Sequence, residues 1–277
     1  MGLRIATNVT ALNAQRRMAK TRQHLDANLE RLASGSRINR AGDDAAGLAI
    51  SENLRAQIRG FTQAKRNAND GISLIQVSEG GLNEISNMLI RLRELGIQAA
   101  SDTIGDTERQ FIDREFQSLK QEIDRIANVT AFNGTPLLNG RAGIFEIQVG
   151  VQNNPILDRV VYNGERADAS IDALKLGGES VATKQGAQLS LAVIDDSLIR
   201  VNSIRADLGA IQNRLQSTVN NIEISIENLA AANSRIRDTD VATEVSNLTK
   251  NNILMQAGIA VLGHANNTNS AALKLLG

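Results

Sequence analysis

The chain has 277 residues and no net formal charge, with 30 basic residues against 30 acidic ones, and it holds five Phe, one Tyr, two Pro, no Trp and no Cys. Zero net charge argues against a nucleic-acid binder, and the absence of Cys rules out disulfides and thiolate metal sites. With so few aromatics the cores must be built from Leu, Ile, Val and Ala, which suits helix seams better than a globular centre.

The scarcity of Pro agrees with long uninterrupted helices. The longest nearly apolar run, residues 253–263, contains Gln256 and is too short to span a bilayer. Residues 1–8 lack the hydrophobic core of a signal peptide, so the chain reads as cytoplasmic unless it leaves by a route that needs no such signal.

Residues 3–33 carry Ile5, Val9, Leu12, Met18, Leu25, Leu29 and Leu32 at helical spacing. Segment 1–40 holds eight basic residues against two acidic ones, eight minus two giving plus six. A basic amphipathic helix could meet a membrane or nucleic acid. The thin apolar face without aromatics favours a helix packed on another helix, its charges turned to water or to a neighbouring subunit. Residues 34–44 then break the pattern with turn chemistry. Asp43 or Asp44 is expected to cap the following helix; with no His nearby, capping outweighs metal binding or acid–base work.

From 45 to 100 a seven-residue seam runs through Leu54, Ile58, Phe61, Ala68, Ile72, Ile75, Leu82, Ile85, Leu89 and Leu92, with Gly71, Gly80 and Gly81 as weak points or close approaches. Thr107 and Gln110 have capping-box spacing for a second helix, whose buried face is Ile112, Phe116, Leu119, Ile123 and Ile126. The short loop at 101–106 sends that helix back antiparallel.

Segment 131–186 reads as a small β-hairpin region. Phe132-Asn-Gly-Thr-Pro136 and Leu138-Asn-Gly140 are turn signals, 145–149 alternates with period two, and 151–155 turns before 157–162. Residues 163–186 read as loop or short strand. A helix restarts near Ala187 and carries a coiled-coil seam through Val201, Ile204, Leu208, Ile211, Leu215, Ile222, Ile226, Leu229 and Ile236, with Thr218 and Asn233 filling two slots. The stretch 201–236 alone is about 54 Å long and needs a partner along its length.

After a break at 237–240, a last helix sets Val241, Val245, Leu248, Met255, Ile259, Leu262 and Leu276 on one seam, with Asn252, Asn266 and Asn269 between them. Such Asn residues usually fix register at some cost in stability. A lone pair of terminal helices this size is marginal, and is expected to order only against copies of itself. The fold class is therefore mainly α: a long coiled-coil-like helical bundle from paired N- and C-terminal segments, with the β-hairpin region in the middle. The expected domains are 1–44 plus 236–277, a terminal helix pair with a linker at 34–44, and 45–235, an inner domain of long helices.

The run 32–50, Leu-Ala-Ser-Gly-Ser-Arg-Ile-Asn-Arg-Ala-Gly-Asp-Asp-Ala-Ala-Gly-Leu-Ala-Ile, resembles the signature of bacterial flagellins. Stretches 68–81, 90–95, 132–134 and 236–244 also resemble flagellin motifs, in the right order. The likeness covers nearly all of the chain outside about 141–186 and implies a short flagellin without large outer domains.

That resemblance implies a structural subunit that polymerises with many copies of itself into the extracellular flagellar filament used for swimming. The paired terminal helices would line the filament core and the inner helices would form the tube around it. On this reading Ile5, Val9, Leu12, Leu25, Leu29, Leu32, Val245, Leu248, Met255, Ile259 and Leu262 pack subunits together. Export would run through the flagellum's own channel, by the flagellar export apparatus and a chaperone, without a cleaved signal peptide. The filament cap and hook-junction proteins would be further partners. Arg91, Leu95 and Glu115 fall at positions similar to those that flagellins present to an innate-immune receptor; ordinary rim charges between helices are the blander reading of Arg91 and Glu115. A low-copy hook–filament junction protein of the same superfamily is the alternative function. An enzyme is not expected, nor any cofactor, metal or membrane span: the only histidines, His24 and His264, lie in opposite terminal helices, and no metalloprotease, serine-hydrolase or phosphate-loop motif occurs.

Overall fold

The computed structural model describes residues 7–274. Ile5 and Leu276 lie outside the described residues, as does the side chain of Asn269. The chain divides into two compact units, residues 1–56 with 228–277, and residues 57–227.

In the first unit, α1 (Val9–Ser34) starts where Asn8 Oδ1 accepts from the Ala11 N–H at 3.0 Å, which satisfies one of the free donors of a helix start. It ends at Gly35, whose φ of +68° gives the left-handed turn that a side chain disfavours. α5 (Val241–Lys274) starts at Asp240, whose carboxylate accepts from the Ala242 and Thr243 amides and from the Thr243 hydroxyl. α1 and α5 lie side by side. They run antiparallel: Asn8 Nδ2 donates to the Ala265 carbonyl at 2.8 Å, and at the other end Arg31 meets Glu244 at 3.7 Å.

Between these helices and the long ones lie two linkers, which pair with each other. Ser36 and Asp238 form an antiparallel bridge, and the Arg37 amide donates to the Arg237 carbonyl at 2.6 Å. Asp43 and Asp44 divide the role expected of them. The Asp43 carboxylate accepts from the Asn39 and Arg40 amides and closes the linker turn. Asp44 Oδ1 accepts from the Gly47 amide at 2.8 Å and caps α2 (Ala45–Ala100). α4 (Lys184–Arg237) brings the chain back to the second linker, beginning a few residues before the expected Ala187.

The second unit comprises the rest of α2 and α4 with α3 (Asp106–Val129) between them. Its core holds Leu82, Ile85, Leu89 and Leu92 of α2, Phe116 and Ile123 of α3, and Val201, Leu208 and Leu215 of α4. Val219 takes the buried slot that periodicity assigned to Thr218, which is half-buried beside it. The apolar Val219 methyls gain more from burial than the Thr218 hydroxyl, which bonds to its own helix at the Arg214 carbonyl.

The capping box expected from Thr107 and Gln110 does not form. Gly105 is the N-cap of α3 and makes no side-chain cap bond. Arg109, buried at 6% exposure, takes over the end chemistry. Its guanidinium donates to the Ala99 and Ser101 carbonyls and to Asp106, each at 2.8 Å. That satisfies carbonyls freed at the end of α2 and fixes the antiparallel return of α3.

β1 (Ala131–Phe132) and β2 (Thr135–Pro136) are joined by Asn133 and Gly134, both at positive φ, as an Asn-Gly hairpin requires. β3 (Ile144–Gln148) pairs antiparallel with β4 (Arg159–Asn163), with Phe145 opposite Tyr162 and their rings 5.8 Å apart. Residues 164–183 fold back on α3. The Lys120 ammonium donates to the Gly177 and Glu179 carbonyls at 3.1 and 2.8 Å, and burial lowers its pKa. Asp113 accepts from the Ser180 hydroxyl and the Val181 amide.

Candidate assembly surface

α1 and α5 meet along a strict seven-residue repeat. The inward slots of α1 are Ala11, Ala14, Met18, Thr21, Leu25, Asn28 and Leu32, and those of α5 are Glu244, Leu248, Asn251, Met255, Gly258, Leu262 and Ala265. The steps of three and four are those of a coiled-coil seam, but more than half of the slots are filled by small or polar residues. The deepest are Ala11, Asn28, Glu244 and Ala265.

This corrects the expected seam. Leu25, Leu32, Leu248, Met255 and Leu262 do face the partner helix, whereas Val9, Leu12, Leu29, Val245 and Ile259 face away from it and are 44–58% exposed. Val241 is exposed with them, and Asn251 rather than Asn252 or Asn266 occupies the seam slot. Periodicity joined two faces into one because a helix that is apolar on several sides matches more than one stripe.

The outward residues fall on more than one side of the seam. At about 100° per residue, Val241, Val245 and Ile259 project to one side of the α5 seam, and the exposed Leu254 and Val261 project to the other. Ile253 stands on the back of the helix, also exposed. With Asn252 between Val245 and Ile259, this is apolar surface interrupted by polar residues, and its own unit leaves it uncovered on both sides of the seam.

The three residues of the receptor-like patch do not stand together at the surface. Arg91 is half-exposed, its guanidinium bridging Glu94 and Glu115 at 2.9 Å each, and these two carboxylates raise its pKa, Glu94 most. Leu95 is 2% exposed and packs in the core of the second unit, so it cannot be presented to a partner. Its place on the inward stripe of α2 with Leu89 and Leu92 was readable from spacing. Among the described residues, no group of three or more His, Cys, Asp or Glu side chains is placed to hold a metal, and no helix is long and apolar enough to cross a membrane.

Long helices around a thin core, with a terminal pair whose apolar flanks lie uncovered, define a structural subunit built to pack against others. Comparison with known proteins gives the family. Residues 5–142 match the bacterial flagellin N-terminal helical region and residues 191–276 match the C-terminal helical region. A flagellin of Halalkalibacterium halodurans is 44% identical over 97% of this chain and 98% of its own. A crystal structure of Bacillus cereus flagellin, 31% identical, superposes with a TM-score of 0.51 over 61% of this chain and 94% of that one. A flagellar hook-associated protein of Vibrio parahaemolyticus, 16% identical, shares the fold alone, with a TM-score of 0.58 over 71% of this chain and 100% of that one. The chain belongs to the bacterial flagellin family, and is a structural subunit of the flagellar filament.

Proposed function

We propose that α1 and α5 are the element through which this flagellin polymerises, and that the outward faces around Val9, Leu12, Leu29, Val245 and Ile259 are covered by neighbouring copies. The observation that carries this reading is the apolar surface on both flanks of α5. A two-fold dimer would cover one flank; covering both calls for two neighbours and hence a repeating, heterologous array. The inward residues Leu25, Leu32, Leu248, Met255 and Leu262 hold the pair together within a subunit, and in sequence Ile5 lies one heptad before the outward Leu12.

In this reading the terminal pair, 1–44 with 236–277, is the filament's core domain and 45–235 its inner domain, without a large outer domain. Delivery to the growing extracellular tip runs through the flagellar export apparatus with a chaperone, and the cap and hook-junction proteins bound the two ends of the polymer. Arg91 and Glu115 are the members of the receptor-like patch open to an innate-immune receptor.

Electron microscopy of purified protein above its critical concentration tests the polymer directly. Long tubes are expected; short closed oligomers at every concentration would overturn the reading.

A further inference from the structure

The two linkers hold more hydrogen bonds than a pair of connecting turns requires. Besides the Ser36–Asp238 bridge and the bond from the Arg37 amide, the Thr239 amide donates to the Gly35 carbonyl at 3.0 Å. The Arg37 guanidinium donates to the Ile236 carbonyl at 2.7 Å, at the end of α4, where helical carbonyls lack partners. Arg237 in turn meets Glu52 of α2. Ile38, 1% exposed, fills the space over Gly47, where a Cβ would stand 2.9 Å from its Cδ1.

This cross-link lies immediately beside the first layer of the α1–α5 seam. Residues 36 and 238 face each other at the junction, followed by Arg31 with Glu244, then Asn28 against Leu248, Met18 against Gly258, and Asn8 with Ala265. The whole series keeps one antiparallel register. A seven-residue repeat alone would tolerate a slip of one heptad, and this seam is poor in large side chains that would resist it.

We infer that the paired linkers are a register latch. They form in the free subunit, align the last turn of α1 with the first turn of α5, and leave the pairing to spread outward toward Asn8 and Ala265 as neighbouring copies cover the outer faces. With the junction closed, only about ten flexible residues separate α1 from α5 at the first seam layer, a loop short enough to keep the two helix ends at high local concentration. The spreading step rests on the reading of α1 and α5 as the assembly element; the latch itself is a property of the single subunit.

The chain has no Cys, so paired substitutions report register by disulfide cross-linking. Asn28→Cys with Leu248→Cys tests the layer near the latch, Ala11→Cys with Ala265→Cys the far end, and Asn28→Cys with Met255→Cys a one-heptad slip. In dilute monomer the near pair should cross-link roughly fivefold faster than the far pair, and faster than the slipped pair. In polymer the far pair should match the near one. Arg37→Pro removes both the amide and the guanidinium donor and should erase the near pair's advantage over the slipped pair, with Arg37→Ala intermediate. Circular dichroism of the same samples shows whether the inner helices remain folded.

Equal near and far rates in the wild-type monomer would overturn the latch, as would a cross-linking pattern that Arg37→Pro and Arg37→Ala leave unchanged. Failure of the wild type to polymerise would instead overturn the assembly reading, and the monomer cross-links would still decide the latch.

Discussion

Gly258 of α5 faces Met18 of α1 so closely that a Cβ at position 258 would stand 2.8 Å from Met18 Cγ. Both belong to the seam, and the glycine is what lets the two helices approach there. Gly258→Ala should gain about 1 kcal/mol of helix propensity but lose about 1–3 kcal/mol to overpacking. The net result should be a looser terminal pair and a higher critical concentration for polymerisation. Shortening the opposing side chain with Met18→Ala should restore part of it, so a double-mutant cycle on critical concentration should show a favourable coupling between the two.

Exposed and inward apolar residues of the terminal pair should fail differently. Leu29→Asp and Ile259→Asp place a charge on outward faces and should abolish polymer while leaving monomer circular dichroism unchanged. Leu248→Asp buries a charge in the seam next to the junction; it should abolish polymer and also remove the small helical contribution that the first paired turns make in the monomer. The measurement is sedimentation of polymer beside far-ultraviolet circular dichroism.

Two adjacent glycines in α2 should respond with opposite sign. A Cβ at Gly80 meets nothing within 4 Å, whereas one at Gly81 would stand 2.7 Å from Thr130 Oγ1 and 2.8 Å from Leu138 Cδ1. Gly80→Ala should stabilise the second unit by about 1 kcal/mol through helix propensity. Gly81→Ala should cost about 1–3 kcal/mol, because the chain after α3 must move aside. Thermal melts of the two variants give the sign of each.

Acid should open the junction. Asp43 is held below the usual carboxylate range by amide bonds from Arg40 and then Asn39, Glu52 by its bond from Arg237, and Asp240 by the Thr243 hydroxyl and then the Thr243 and Ala242 amides. A lowered folded-state pKa stabilises above the ordinary value and loses that contribution as pH falls through about 4 toward the folded-state value. Pepsin cleavage within 35–44 and 238–240 should therefore rise as pH falls below about 4. Asp240→Asn should begin with a weaker α5 start and show a smaller pH response.

Sequence periodicity locates the long helices well. Leu82, Ile85, Leu89 and Leu92 recur at helical spacing and are buried, and Asn133-Gly134 forms the hairpin turn its composition predicts. The capping box at Thr107 does not form because Arg109 reaches back across the loop to the Ala99 and Ser101 carbonyls, a contact that spacing within α3 does not encode. The fold of 164–183 rests on Lys120 and Asp113 of a distant helix, so a local reading sees only a loop. At the terminal pair, spacing finds the apolar residues but joins two faces into one: Leu25, Leu32, Leu248, Met255 and Leu262 line the seam, whereas Val9, Leu12, Leu29, Val245 and Ile259 are exposed. The seam itself mixes Leu and Met with Ala, Gly, Asn and Thr, so apolar spacing alone does not single it out.

Amide hydrogen exchange in dilute monomer and in polymer tests the central claim most directly. In monomer, amides of 9–34 and 241–267 should exchange far faster than those of α2 and α4 within the second unit, most of all toward Asn8 and Ala265, and they should become protected on polymerisation. Terminal helices already protected in the monomer as strongly as α2 and α4 would contradict the claim that neighbouring copies complete them.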